Sequence, residues 1–347
     1  MTKKRPILAI SMGDPAGIGP EITLKALSNE ELYQTCEPLV IGSAKILVHI
    51  NKLLGFGLTI NSVKNPSEGL YEFKTVDVLD MDNVDMGVFE FNKISKMCGN
   101  ASFEYVVKAI KLAKENKVNA CVTGPIHKEA IQMAGHNYAG HTEIFAAYTN
   151  TKNYAMMLAE GHFRVVHIST HVSLLEAIKR VKKQRIVEVI RLANSALKSM
   201  GIENPKVAVA GLNPHAGESG LFGMEEIKEI IPAIEIAKTE GINATGPCPP
   251  DTIFPIMKGG KYDIVVCMYH DQGHIPTKLL GFNYNHETEK WEGLSGVNIT
   301  LGLPIIRVSV DHGVAFDKGG KGEASADSML QAISYATLFS QEKNTES

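Results

Sequence analysis

Short apolar runs alternate with segments of helical spacing along most of the 347-residue chain. Residues 7–12 read as a first buried strand, and Glu21–Leu27 as a helix opened by Pro20, whose fixed φ suits a first helical turn. Leu39–Gly42 predicts a further strand. From Phe103 to Lys114, apolar residues recur at Phe103, Val106, Val107, Ile110 and Ala113, which lines one face of a helix. Val118–Thr123 then predicts a strand that stops at Gly124-Pro125. Beyond it come a helix over 183–200 closed by Gly201, a strand at Val207–Ala210 and a helix at Glu225–Lys238. Strands at Ile264–Met268 and Ile305–Val310 complete the series. This alternation predicts an α/β fold with a mostly parallel sheet. The polar stretch Gly281–Gly296, which holds the only tryptophan, Trp291, shows no period and predicts a long loop.

Composition narrows the function classes. Apolar residues make up 44% and charged residues 21%, the balance of an ordinary globular protein. Formal charge is 35 − 38 = −3 without a long basic run, so neither nucleic acid nor an anionic membrane is an expected partner. No stretch reaches the roughly 20 apolar residues of a membrane span. The five cysteines are scattered and form no C-x-x-C pair, which predicts reduced thiols and a cytoplasmic protein.

Chemistry-bearing residues cluster just after the strands, where open α/β sheets place their sites. Between the first strand and first helix, Gly13-Asp14-Pro15-Ala16-Gly17-Ile18-Gly19-Pro20-Glu21 reads either as a ligand loop at a helix N-terminus or as a tight structural turn. Its spacing matches neither the Rossmann glycine motif nor a P-loop. Among twelve histidines, His171, His215 and His270 sit in polar clusters, and three imidazoles would suit a divalent ion with an open position. Asp271 and Asp251 are carboxylates that would support such a site, Asp251 as a buried candidate. His49, His136, His162, His167 and His286 have no such company and read as surface or satisfied packing. Lys278, Asn298 and Arg307 are donors for a phosphate monoester, and Arg307 interrupts an apolar run where a lone charge is costly. The glycine-rich stretch Asp311–Gly322 has the character of a dinucleotide-binding loop, with Asp317 a candidate acceptor.

Taken together these segments resemble the 4-hydroxythreonine-4-phosphate dehydrogenase family of vitamin B6 biosynthesis. The likeness runs through the Gly13–Glu21 segment, Thr123-Gly124-Pro125-Ile126-His127-Lys128, Gly140-His141-Thr142-Glu143, Asn213–Glu218, Pro250-Asp251-Thr252, Tyr269–Gly273, Gly296–Thr300 and Asp311-His312-Gly313. The first and last segments also resemble isocitrate and isopropylmalate dehydrogenases. The implied fold is a two-domain αβα architecture distinct from the Rossmann domain. Its expected limits are 1–130 with 255–347 for a discontinuous first domain carrying the cofactor loop, and 131–254 for a second with metal and substrate residues.

The resemblance implies roles. His171, His215 and His270 would hold a divalent metal (zinc, magnesium, cobalt or manganese), with ligands drawn from both subunits of a homodimer. His141, Thr142, Lys278, Asn298 and Arg307 would bind a phosphorylated substrate. NAD or NADP would lie on Gly13, Asp311, His312, Gly313, Asp317 and Gly322, and Lys128, Asp251 and Asp271 would serve catalysis. The implied reaction oxidises C3 of a 4-phosphorylated 3-hydroxy acid, as in 4-phosphohydroxy-L-threonine, and then decarboxylates it. Two features depart from that pattern: His274-Ile275-Pro276 after Gly273, and the long 281–296 segment. The first is similar to a paralogous branch acting on D-threonate or D-erythronate 4-phosphate. A phosphate acyltransferase of similar architecture and a non-catalytic metabolite-binding protein stay open as alternatives.

Overall fold

The computed structural model describes residues 4–343, with backbone alone for 290–294 and 342–343. Contacts divide the chain into two compact units, one running to Thr151 and resuming at Leu303, the other spanning Lys152–Gly302. The first opens with β1 (Ile7–Ser11), β2 (Glu37–Gly42), β3 (Thr59–Val63), β4 (Thr75–Asp80) and β5 (Ala120–Thr123). The second holds β6 (Ala155–Glu160), β7 (Phe163–His167), β8 (Val207–Ala210), β9 (Ala244–Cys248) and β10 (Ile264–Cys267), followed by β11 (Phe282–Asn285), β12 (Lys290–Leu294) and β13 (Val297–Leu301). Strand β14 (Ile306–Val310) returns to the first unit.

In the first unit the order is β3-β4-β2-β1-β5-β14, every neighbouring pair parallel. Strands β1 and β2 are covered on both faces, with Leu8, Ala9, Ile10, Leu39, Val40 and Ile41 all 0% exposed. That two-sided burial is why they read as unbroken apolar runs rather than alternating ones. The helix Lys96–Lys114 packs beside them, its first turn capped by the Ser95 hydroxyl, which accepts from the Cys98 amide at 3.1 Å. In the second unit the order is β13-β6-β7-β10-β8-β9. Strands β7, β10, β8 and β9 are parallel, while β6 and β13 run antiparallel to their neighbours. The fold is therefore the mostly parallel α/β class that the alternation of strands and helices predicts.

Two sequence expectations differ from the structure. The units change at 151 and 303, not at 130 and 255, because β10 and β13 are laddered to β7, β8 and β6 of the middle segment. The expected loop at 281–296 is a hairpin in which β11 pairs antiparallel with β12, Asn285 opposite Lys290. Its turn is built by the Asn285 side chain, which accepts from the amides of Glu287 and Thr288 at 2.9 and 3.2 Å. The alternation Phe282-Asn283-Tyr284-Asn285 spans only four residues, too short a period to stand out from a loop. The side chain of Trp291 lies outside the described residues.

Candidate active site

In the first unit, Arg307 sits in β14 directly across from Cys121 of β5 and is 3% exposed. Its Nη2 donates to the Thr123 hydroxyl at 3.2 Å, and its guanidinium lies 5.8 Å over the Phe145 ring. Burial draws its pKa down to about 10, with Glu143 opposing the shift. The helix His141–Thr149 carries His141, Thr142, Glu143 and Phe145 in succession. The Nε2 of His141 is buried without a hydrogen-bond partner among the described residues, and burial followed by the Arg307 charge holds this imidazole well below its usual pKa. A cation, a neutral imidazole and a hydroxyl thus meet at one buried corner, which is the donor set of an anion site. Lys128 opens the helix Lys128–Met133 and is exposed, while its neighbour His127 rests 5.0 Å from the Phe316 ring.

The Gly13–Glu21 segment resolves as a packed turn. Every residue from Met12 to Leu24 is buried. Four of its amides are used internally: Asp14 to the Pro125 carbonyl, Ala16 to Asp14 Oδ1, Gly17 to the Asp14 carbonyl, and Ile18 to the Val314 carbonyl. Gly13, a cofactor candidate in the sequence, has φ +80°, and a Cβ there would meet the Pro125 oxygen at 2.5 Å. Glycine is required for close packing, and no cradle of free amides remains for an anion at those four positions. The segment instead anchors the 311–322 loop. Glu21, 0% exposed, accepts from the amides of Gly322 and Ala324 at 3.0 and 2.9 Å and pairs with Lys25 at 2.8 Å. Lys25 in turn donates to the Gly322 and Ala324 carbonyls. Within the loop, Gly313 and Asp317 are exposed, Asp311 and His312 are half-buried, and Gly322 is tied down. Sequence reading missed the clamp of Glu21 and Lys25, although their i,i+4 spacing on a helix was a usable signal.

In the second unit, His270 opens the helix His270–Gly281, which also carries His274 and Lys278 at steps of four residues and so on one face. The His270 Nδ1 lies 2.7 Å from Asp271 Oδ1, a contact that fixes the ring through that nitrogen. His171, exposed in the loop after β7, has its ring centroid 5.7 Å from that of His270. A depression of about 390 Å³ is lined by Thr170, His171, Ser173, Tyr269, His270 and Asp271. His274 stacks on His270, and His167 stands 4.7 Å beyond His274. Reading His167 as satisfied packing is corrected: it is buried with Nε2 unpartnered among the described residues, beside two further imidazoles. Burial draws His167 down to about 3 and His274 to about 4.

His215 is exposed in the turn Pro214–Gly220. Among the described residues no three His, Cys, Asp or Glu side chains are grouped so as to hold a metal. Two imidazoles of suitable chemistry therefore converge, and the third is not brought to them within one chain. Asp251 is exposed in the turn before the helix Ile253–Lys258, not buried as expected, since Pro249-Pro250 begins a surface turn. Lys278 places its ammonium 4.2 Å over the Phe282 ring, and Asn298 lies in β13 opposite Leu158. The described residues contain no helix long and apolar enough to cross a membrane.

Comparison with known proteins agrees with the resemblance. The family model described as Pyridoxal phosphate biosynthetic protein PdxA matches residues 34–336. A protein of Oceanobacillus iheyensis named "Putative D-threonate 4-phosphate dehydrogenase" is 48% identical over 336 residues, 96% of this chain and 97% of its own. One of the same name from Symbiobacterium thermophilum is 43% identical over 339 residues, 96% and 98% of the two chains. The crystal structure of a 4-hydroxythreonine-4-phosphate dehydrogenase from Klebsiella pneumoniae has a TM-score of 0.87 at 41% identity, covering 98% of this chain and 100% of that one. All three are named as dehydrogenases, not as acyltransferases or binding proteins. The chain belongs to the family described as Pyridoxal phosphate biosynthetic protein PdxA and is an enzyme of its dehydrogenase type.

Proposed function

We propose that this chain oxidises the C3 hydroxyl of a 4-phosphorylated 3-hydroxy acid with NAD or NADP, and that the β-keto acid formed then loses CO₂. The observation that carries the reading is the buried corner of Arg307, His141 and Thr123, a charge-assisted donor set suited to a phosphate monoester. Thr142 shares the first turn of that helix and is a further donor to the substrate. A bound nicotinamide would accept the hydride, and Lys128 is the group that would take the hydroxyl proton. The exposed residues of the 311–322 loop, Gly313 and Asp317 with Asp311 and His312, take the dinucleotide.

A divalent ion held by His171, His215 and His270, with ligands drawn from both subunits of a homodimer, would supply Lewis acidity at the hydroxy acid. Asp271 holds the His270 ring in register for that task, and Asp251 supports from the next turn. A homodimer is favoured by where apolar side chains remain exposed. Leu174 and Leu175 follow His171, Leu221 and Phe222 follow His215, and Ile275 and Leu279 follow His270, at 47–80% exposure. Surfaces of this kind mark protein interfaces.

The substrate is D-threonate 4-phosphate, with D-erythronate 4-phosphate next and 4-phosphohydroxy-L-threonine as the amino counterpart. The names of the Oceanobacillus iheyensis and Symbiobacterium thermophilum relatives, at 48% and 43% identity, support D-threonate 4-phosphate first, as does the His274-Ile275-Pro276 run, while the name of the 41%-identical Klebsiella pneumoniae structure supports the amino counterpart. The test presents all three substrates with NAD and with NADP, following NAD(P)H absorbance and CO₂ release, before and after chelation and after return of zinc, magnesium, cobalt or manganese. A site that pairs a C2 hydroxyl rejects the amine strongly, so one substrate class should dominate. No turnover with any of the three overturns the proposal.

A further inference from the structure

The turn that carries His215 is backbone-unusual. His215, Ala216, Gly217, Glu218 and Ser219 all have left-handed dihedrals, with φ of 51°, 55°, 81°, 40° and 57°. L residues avoid this region, and a run of them persists only where the surroundings impose it. One carboxylate packs against this turn and ties down the residues that lead into it. Glu226 is 2% exposed, and its Oε1 accepts from the amides of Leu212 and Asn213 at 2.7 and 2.8 Å. Its Oε2 accepts from Asn213 Nδ2 at 2.8 Å. Gly217 and Gly211 pack against the same group, since a Cβ on either would lie 2.7 and 3.2 Å from its two oxygens. Glu226 itself begins a π-helical turn, Glu226–Ile230, a distortion that aims its side chain back at the loop. From the other side Gln272, two residues after His270, donates to the Gly211 carbonyl at 2.8 Å and accepts from the Met268 amide at 2.7 Å.

We propose that Glu226 is a positioning residue: its buried carboxylate clamps the left-handed turn so that His215 is presented in one orientation. The proposal rests on the reading of His215 as a functional imidazole, and its test separates the two. Glu226→Ala and Glu226→Gln are made in the full chain alongside His215→Ala and the double variant Glu226→Ala/His215→Ala. Amide hydrogen exchange is measured without substrate. In Glu226→Ala the amides of Leu212 and Asn213 should exchange at least about tenfold faster, while Glu226→Gln, which keeps an Oε1 acceptor, should stay near the parent. In turnover, Glu226→Ala should lower kcat about tenfold or more, Glu226→Gln should recover most of it, and the double variant should be no slower than His215→Ala alone. Zinc affinity, measured by calorimetry with the metal alone, should fall in Glu226→Ala. Unchanged exchange in Glu226→Ala, or losses that simply add in the double variant, would overturn the proposal. Parent-like turnover in His215→Ala, with exchange still accelerated in Glu226→Ala, would leave the clamp standing and remove the functional reading of His215.

Discussion

The imidazole of His274 lies parallel to that of His270, with 3.5 Å between ring centroids and 11° between planes. The His274 Nδ1 is 3.0 Å from the His270 carbonyl, so the upper ring is held by the backbone of the lower one. His274→Leu should keep much of the buried volume but lose both the flat contact and the hydrogen bond. We expect kcat/KM to fall about 10- to 100-fold, the range for residues that orient a functional imidazole. His274→Phe, which restores the flat contact alone, should fall between the two, and steady-state kinetics on the three proteins checks the order.

Arg307→Lys should separate binding from chemistry. Lysine keeps the charge but not the planar fork, so KM for the phosphorylated substrate should rise at least about tenfold while kcat changes less. The effect should vanish on an unphosphorylated analogue. An equal loss on both substrates would remove Arg307 from phosphate recognition.

Asp14 gives a pH prediction. Burial pushes its carboxyl up to about 6 from 3.8, with the Ala16 amide only partly offsetting this, and Oδ2 has no partner among the described residues. Because the folded pKa is above the unfolded one, the folded state holds the extra proton between these values. The contribution is full below about pH 4 and is lost as pH rises to about 6. Asp14→Asn keeps the acceptor for Ala16 and cannot ionise. At pH 7 it should be more stable than the parent by up to roughly 3 kcal/mol, with the gap closing near pH 4 in denaturant titrations.

Lys25→Met should loosen the 311–322 loop, the proposed dinucleotide site. It leaves the Glu21 carboxylate buried without its cation, which costs on the order of 3 kcal/mol in stability. The KM for NAD or NADP should rise while that for the phosphorylated substrate stays near the parent. Thermal unfolding and a cofactor titration read the two effects separately.

Leu279→Asp tests the dimer. Leu279 is 80% exposed in the single chain, so a charge there should leave the fold intact and yield a monomer by light scattering. A dimer that persists in Leu279→Asp would place the interface elsewhere.

Burial on both faces writes itself as unbroken apolar runs, which made Leu39–Ile41 and Ile264–Cys267 legible, although the equally buried Ala155–Glu160 and Phe163–His167, the latter interrupted by Arg164, were not read. Strands such as Thr59–Val63, at the sheet edge and mixed in polarity, left no such mark. His215 and His270 stood out because each follows a strand that the sequence predicts, whereas the strand before His171, Phe163–His167, was not read. Arg307 stood out as a charge inside an apolar run, and its burial agrees. Glu226 was not legible, since nothing in its helical context distinguishes it from a surface glutamate until the loop folds over it. Gly13 was ambiguous for the opposite reason: a glycine-rich turn before a helix looks alike whether it wraps a ligand or a neighbouring carbonyl, and here it packs on the Pro125 carbonyl.

Strand β14 enters the ladder beside β5 only after the whole of Lys152–Gly302 has been made. During synthesis the ribosome therefore delivers a five-stranded fragment whose β5 edge waits open, and whose Glu21 lacks the amides of Gly322 and Ala324. The middle segment has all its ladder strands in one continuous stretch and is free to fold ahead of that closure. The last forty-odd residues then act as a keystone in time as well as in space. A nascent chain paused before residue 303 should be the species that needs a chaperone, its bare β5 edge being the one that invites mispairing.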